Sequence, residues 1–263
     1  MTELGCLDGA ISPAEETTIP ATDEGLLRGD GVFEVVRVYG GRPFALSEHL
    51  DRMARSADNL RLGWEVPRAE LEQEVARLLE ERGEDFDGCL RLVLTGGGRR
   101  LLLTEPVPSG PERISLGFVT YAPTRVLDGV KSLSYAGNML ASRLARERGH
   151  DEALLVTPHG RVLEAPTSSL FWVDERGALT TPPLDEHILA SITRDRLMGL
   201  LDVEERPVTA DELLEGAQEA FLASTTREVQ SVAAIERREF PETGEVTRKA
   251  AGVLRAQIVS ELS

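Results

Sequence analysis

Lysine is almost missing from this chain. Of 29 basic residues among 263, 27 are arginine, and only Lys131 and Lys249 are lysine. Basic charge is itself in deficit: 45 acidic side chains against 29 basic ones leave a formal net charge of -16. Nucleic acid and anionic membrane both need a basic face, so neither is expected as a partner. No apolar run approaches the ~20 residues that cross a bilayer. The opening MTELGCLDG has neither the basic region nor the apolar stretch of a secretory signal, so a cytoplasmic protein is expected. Cysteine occurs twice, at Cys6 and Cys89, far apart and without a CxxC, which suits reduced thiols better than a disulfide framework. The four histidines (His49, His150, His159 and His187) form no HxxH or HExxH spacing, and no metal site is expected.

What is present reads as alternating helices and strands. GVFEVVRVY (31–39) is β-branched and aromatic and predicts a strand closed by Gly40-Gly41. A helix is expected over 47–62, with Ser47 as its N-cap and Leu50, Met53, Ala54, Ala57 and Leu60 along one face. A second follows over 68–82, between Pro67 and Gly83. Strands are expected over Cys89 to Thr95 and Ile114 to Tyr121, and near Lys131. Asn138 to Arg148 reads as a helix, and 153–157 with 161–165 as a hairpin around Pro158-His159-Gly160. Further strands (Leu170 to Val173, Ala220 to Ala223) and helices (Ser191 to Leu201, and 246–262) complete the pattern. No GxGxxG follows the first strand, which argues against a Rossmann domain. Two mixed α/β domains are expected: a smaller one over 1–121, a linker over 122–128, and a larger one over 129–263 that carries Lys131.

The scarcity of lysine makes the two lysines informative. A lysine amine can lose its proton and attack a carbonyl, whereas arginine cannot. Lys249 lies off the apolar stripe of the last helix and is explained as surface charge. Lys131 sits in a segment with strand character and no other charge. By itself it fits either a strand-edge side chain reaching water or a Schiff-base lysine. Its possible partners are equally ambiguous one at a time. Glu164 ends RVLEA and could hold a pyridine nitrogen protonated, or merely be solvated. Ser191-Ile192-Thr193 opens a helix and could bind phosphate or cap itself. Ser224-Thr225-Thr226 is a hydroxyl cluster or a turn.

Taken together, in order, these segments resemble the fold-type IV pyridoxal phosphate (PLP) enzymes, the family of D-amino-acid and branched-chain aminotransferases and aminodeoxychorismate lyase. The motifs are RGDGVFE (28–34), EHLDR (48–52), KSLSYAGN (131–138), VLEA (162–165), ITRD (192–195) and STTRE (224–228). The resemblance implies a two-domain α/β fold with PLP in the interdomain cleft, in a homodimer. It implies that Lys131 bonds the cofactor as a Schiff base and shuttles the substrate proton. Glu164 would pair with the pyridine nitrogen, and Leu189 would pack on the ring. Arg52, placed on the polar side of its helix, would clamp the phosphate. Ile192, Thr193 and Thr225 would add phosphate contacts, with Ser224 near the pocket. A degenerate scaffold that kept only the fold would be expected to have lost one of Lys131, Glu164 and Arg52.

The motif style is closest to D-amino-acid aminotransferases, which implies ping-pong transfer between a D-amino acid and a 2-oxo acid. Two departures stand out: Phe33 replaces a tyrosine, and Gly96 stands where an arginine is usual. The substrate carboxylate then needs another cation, for which Arg28 and Arg91 are the candidates, with Arg99 and Arg100 behind them. Arg28-Gly29-Asp30-Gly31 lacks the histidine usual in branched-chain enzymes. Aminodeoxychorismate lyase, which releases pyruvate, shares the same cofactor residues and stays an alternative. Lys131→Ala should remove both turnover and the visible absorption band of the purified protein while leaving its circular dichroism unchanged. Retained steady-state activity would refute the assignment.

Overall fold

The computed structural model describes residues 2–263. The chain divides into two compact units. The first comprises the residues up to Ser109 together with Gly129–Tyr135 and Leu262; the second comprises Gly110–Asp128, Ala136–Glu261 and Ser263.

In the first unit the elements are β1 (Leu4–Leu7), β2 (Ala10–Pro13), α1 (Glu24–Arg28), β3 (Gly31–Tyr39), β4 (Arg42–Pro43), α2 (Leu46–Asn59), α3 (Arg68–Arg82), β5 (Gly88–Thr95) and β6 (Arg100–Glu105). The strands form one antiparallel sheet in the order β2-β1-β6-β5-β3-β4. Its centre is the β3–β5 pair, in register Val32↔Leu94, Glu34↔Leu92 and Val36↔Leu90. Partners in register share a face. That face is apolar apart from Glu34, and it joins Leu50 and Met53 of α2 and Leu71 and Leu78 of α3 in one core. Each large side chain buried there contributes about 1.5–3 kcal/mol. Cys6 and Cys89 are buried free thiols, and burial pushes the Cys89 thiol up to about 11.

The second unit holds β7 (Ile114–Thr120), α4 (Ala136–Glu147), β8 (Glu152–Val156), β9 (Ser169–Val173), β10 (Leu179–Thr181), α5 (Ile192–Leu200), β11 (Glu204–Glu205), α6 (Ala210–Gly216), β12 (Glu219–Ser224), β13 (Glu228–Ile235), β14 (Arg238–Glu239) and α7 (Glu245–Glu261). Its sheet runs β11-β10-β9-β12-β13-β7-β8, with β14 beside β13. The centre is antiparallel, whereas β7 lies parallel to both β13 and β8. Leu154, Leu170, Trp172 and Leu222 fill one core, and the Phe171 and Phe221 rings stack at 4.9 Å. The α7 N-terminus is satisfied by Glu219, which accepts the amides of Val246 and Thr247 at 3.1 and 2.9 Å. Lys249 is exposed, and Ala250, Leu254 and Ile258 face inward.

Several expectations need correction. The segment around Lys131 groups with the first unit. Phe33 N donates to the Lys131 carbonyl at 3.0 Å and Leu133 N to that of Gly31 at 2.9 Å, which ties 129–135 to β3. It makes only a single bridge, Val32↔Ser132, rather than a strand. Conversely β7 pairs with β8 and β13, so the second unit starts at Gly110, before the expected linker. Ala45, in a left-handed conformation, is the N-cap of α2, and the Ser47 hydroxyl instead accepts from Arg68 Nη2 at 2.8 Å. Ala54 is exposed rather than part of the inward stripe. The second arm of the expected hairpin, 161–165, forms no extended strand. It is held by the Val156↔Val162 bridge and by Leu163 N donating to Leu155 at 2.9 Å.

Gly31 marks the start of β3 with φ +152°, and a Cβ there would lie 2.4 Å from the Leu94 carbonyl oxygen. Because that neighbour is backbone, it cannot swing aside. Gly31→Ala should destabilise the protein by at least ~1–3 kcal/mol, lowering Tm by roughly 2–4 °C per kcal/mol. An unchanged melting curve would show that the strand start relaxes without strain.

Candidate active site

In the first unit the chemistry gathers where α2 crosses β3. Period-two alternation points Glu34 into the core together with Val32 and Val36, and the residue is fully buried. Such a carboxylate requires partners, and α2 supplies them from successive turns. Arg52 Nε donates to Glu34 Oε1 and Nη2 to Oε2, both at 2.6 Å, and His49 Nδ1 lies 2.8 Å from Oε2. One turn later the Ser56 hydroxyl accepts the backbone amide of Lys131 at 3.1 Å. His49, Arg52 and Ser56 are all buried, so α2 carries a buried polar stripe beside its apolar one. Arg52 therefore lies on that polar stripe, off the Leu50, Met53 and Ala57 face, and is buried there against Glu34.

Electrostatics follow from that burial. Burial by itself would raise the Glu34 pKa, but the Arg52 and His49 hydrogen bonds and charges outweigh it and hold the carboxyl at about 2. Burial lowers the His49 pKa despite its bond to Glu34, with the Arg52 and Lys131 charges acting in the same direction. Neutral His49 then donates Nδ1–H to Glu34. Lys131 is partly buried, its Nζ 4.5 Å from the Phe33 ring centroid and 6.0 Å from that of Tyr135. Those two rings meet edge to face at 5.3 Å.

The arginines singled out for a substrate carboxylate are all engaged. Arg28 is exposed and paired with Glu24, one turn earlier on α1. Arg91 is chelated by Glu105, Nε to Oε1 at 2.6 Å and Nη2 to Oε2 at 2.9 Å, while its guanidinium lies 5.7 Å from the Phe33 centroid. Arg99 pairs with Asp8 and Arg100 with Glu74, each at 2.7 Å.

In the second unit Glu164 is partly buried, and the Leu189 amide donates to its Oε1 at 3.0 Å. Leu189 thus meets Glu164 through its backbone. Desolvation, and secondarily the Glu164 charge, raise the Tyr121 pKa. Asn138 Nδ2 donates to the Pro166 carbonyl at 3.0 Å, tying the start of α4 to the loop after Glu164. The Ser191 hydroxyl caps α5 by accepting the Arg194 amide, so the amides of Ile192 and Thr193 take no part in the cap. Ile192 and Thr193 are buried, and Thr225 partly so. Arg194 and Arg227 serve the scaffold: Arg194 Nη2 donates to the Pro182 carbonyl at 3.0 Å, and Arg227 pairs with Glu152.

These groups suit a phosphorylated pyridine aldehyde. The Ser224 hydroxyl is buried with no hydrogen-bond partner among the described residues, at the end of β12, and those of Ser168 and Ser169 are in the same condition. Buried hydroxyls of this kind call for a polar ligand. A helix N-terminus and a guanidinium bind phosphate, an amine bonds an aldehyde, and a carboxylate pairs with a pyridinium.

Glu34 and His49 were given no role on sequence grounds. The signal was there in Glu34, a carboxylate at an even position among Val32, Val36 and Val38. The Glu34 pKa also yields a prediction. Because it is depressed from 4.5 to about 2, its stabilisation is complete above about pH 4.5 and is lost as pH falls toward 2. Glu34→Gln should be less stable than the parent at pH 7, with the gap narrowing as urea midpoints are compared at pH 5, 4 and 3. A gap independent of pH would mean that Glu34 carries no charge in the fold.

Comparison with known proteins agrees with this chemistry. Residues 31–235 match the family described as amino-transferase class IV. A Methanocaldococcus jannaschii protein named as a branched-chain-amino-acid aminotransferase is 33% identical over 268 residues, 92% of each chain. The D-alanine aminotransferase of Bacillus licheniformis is 31% identical over 277 residues, 97% of this chain and 96% of its own. Among solved structures, the apo form of a hypothetical aminotransferase from Mycobacterium tuberculosis superposes with a TM-score of 0.89 at 26% identity, over 98% of this chain and 99% of that one. Its PLP-bound form does so with a TM-score of 0.87. A family match over residues 31–235 and relatives 31–33% identical along nearly the whole chain leave one conclusion: the chain belongs to the class IV aminotransferases and is a PLP-dependent aminotransferase.

Proposed function

We propose that this aminotransferase moves the amino group of a D-amino acid to a 2-oxo acid in two half-reactions. PLP supplies an aldehyde that accepts the amine and a pyridinium that draws electrons from the substrate carbon. Lys131 holds the cofactor between turnovers, and its Nζ carries the proton away from the substrate α-carbon. The Glu164 carboxylate, aimed by the Leu189 amide, keeps the pyridine nitrogen protonated. Arg52, the Ile192 and Thr193 amides, and the Thr225 and Ser224 hydroxyls hold the phosphate and its surroundings.

The observation that carries the reading is the Phe33 ring, which has the Lys131 amine on it at 4.5 Å and the Arg91 guanidinium at 5.7 Å. The guanidinium thus offers a carboxylate partner on the same ring as the amine that would hold the cofactor, which suits an α-amino acid reacting there. That favours Arg91 over the exposed Arg28 as the carboxylate partner, with Glu105 keeping the guanidinium in place. The D-preference rests on GDGVFEVVRVY followed by KSLSYAGN, and on likeness to the B. licheniformis enzyme along nearly the whole chain. A preference for branched-chain amino acids is the second reading, favoured by the M. jannaschii relative. We further infer a homodimer, because Leu26 and Leu27 on α1 and Leu140 and Leu144 on α4 are exposed apolar side chains. Light scattering should then give about twice 28.7 kDa, and a monomer would refute it. Buried free thiols at Cys6 and Cys89 suit a cytoplasmic enzyme, a location that cell fractionation checks.

Half-reactions of the PLP form should run with D-alanine and D-glutamate and fail with L-leucine and (R)-phenylethylamine. Faster turnover of L-leucine would replace this reading with the branched-chain one, and pyruvate release from aminodeoxychorismate would point to the lyase. Arg91→Leu should raise KM for amino acids roughly tenfold or more, the scale of a lost charged hydrogen bond. An equal rise for an amine substrate would move the carboxylate site elsewhere.

A further inference from the structure

The Glu34, His49 and Arg52 cluster is more elaborate than folding requires. Position 34 lies on an otherwise apolar face of β3, opposite Leu92 and between Val32 and Val36. A hydrophobic side chain would satisfy that face, and exchanging a buried ion pair for apolar residues is often neutral or stabilising. The reason for a buried carboxylate must then lie in what it does to its partners.

Geometry shows what that is. Arg52 meets Glu34 side-on through Nε and Nη2, both at 2.6 Å. A bidentate contact of this kind sets the plane of the guanidinium as well as its position. An arginine on four rotatable bonds would otherwise sample many rotamers. Glu34 is itself anchored from a second point, by His49 Nδ1 at 2.8 Å. The anchor and the arginine sit three residues apart on the same rigid helix, and Ser56 of that helix holds the Lys131 backbone at 3.1 Å. The groups facing the Glu34 carboxylate are thus Arg52 and His49, both from α2.

We propose that Glu34, anchored by His49, is the positioning residue for Arg52, orienting its guanidinium for the phosphate of PLP. This rests on the reading of Arg52 as a phosphate clamp. Glu34 touches neither substrate nor cofactor and acts only through Arg52.

The test separates the phosphate from the rest of the cofactor. The full-length protein is stripped of PLP and titrated, by the absorbance of the bound form, with PLP and with pyridoxal, which lacks the phosphate. The readout is the ratio of the pyridoxal to the PLP dissociation constant. Arg52→Leu should collapse the ratio. Glu34→Gln should lower it about tenfold or more, as expected for losing a charged hydrogen bond, while pyridoxal affinity stays at the parent value. His49→Gln should lower it by a smaller factor. A fall in affinity for both ligands alike would mark Glu34 as a general structural residue and overturn the proposal. So would an unchanged ratio in Glu34→Gln beside a collapsed one in Arg52→Leu. An unchanged ratio in Arg52→Leu would instead refute the phosphate clamp itself. Should Glu34→Gln fail to fold, Glu34→Asp keeps the charge but withdraws it by one methylene. Its ratio should fall severalfold, and a parental value there would overturn the proposal.

Discussion

A carboxylate sealed from water must be matched by donors, and in the first unit that requirement falls on Glu34. Its partners Arg52 and His49 come from one face of α2, so matching the charge also sets how α2 lies over β3. The same face, continued by one turn, reaches Ser56 and through it the Lys131 backbone. Burial, ion pairing and the placement of the Lys131 backbone are therefore linked through a single helix. Register does the rest: Glu34 points to the α2 side of the sheet, while its neighbour Phe33 and the β5 residue Arg91 point to the other.

The second unit solves a similar problem with backbone groups. Glu164 is oriented by the amide of Leu189, and the α5 N-terminus leaves the Ile192 and Thr193 amides outside its own cap. Backbone donors are fixed by the fold and need no side-chain ordering, which makes them effective preorganised partners for an anion or an acceptor. The buried hydroxyls of Ser168, Ser169 and Ser224 have no hydrogen-bond partner among the described residues.

The abundance of arginine takes on a clear meaning in this setting. With 45 acids against 29 bases, most arginines have a carboxylate to meet, as Arg28, Arg91, Arg99 and Arg100 do. An arginine in such a chain says little by itself. The pair at Arg52 differs because it is buried on both sides, whereas the others reach solvent on at least one.

The sequence by itself determined most of the elements and the family. β-Branched and aromatic residues marked β3, helical periodicity marked α2, α3 and α7, and the scarcity of lysine drew attention to Lys131. Local pattern carries these because period and residue type act over a few positions. Glu164 and the α5 N-terminus were ambiguous one at a time, and only the ordered run of motifs singled them out. Two things belonged to the tertiary structure. One was the partner of Arg52, since nothing local in the chain pairs it with Glu34, eighteen residues earlier and across the core. The other was where 129–135 belongs, since its bonds run to Gly31 and Phe33, nearly a hundred residues earlier. Both depend on pairings between distant segments, and such pairings leave no periodic trace in the chain.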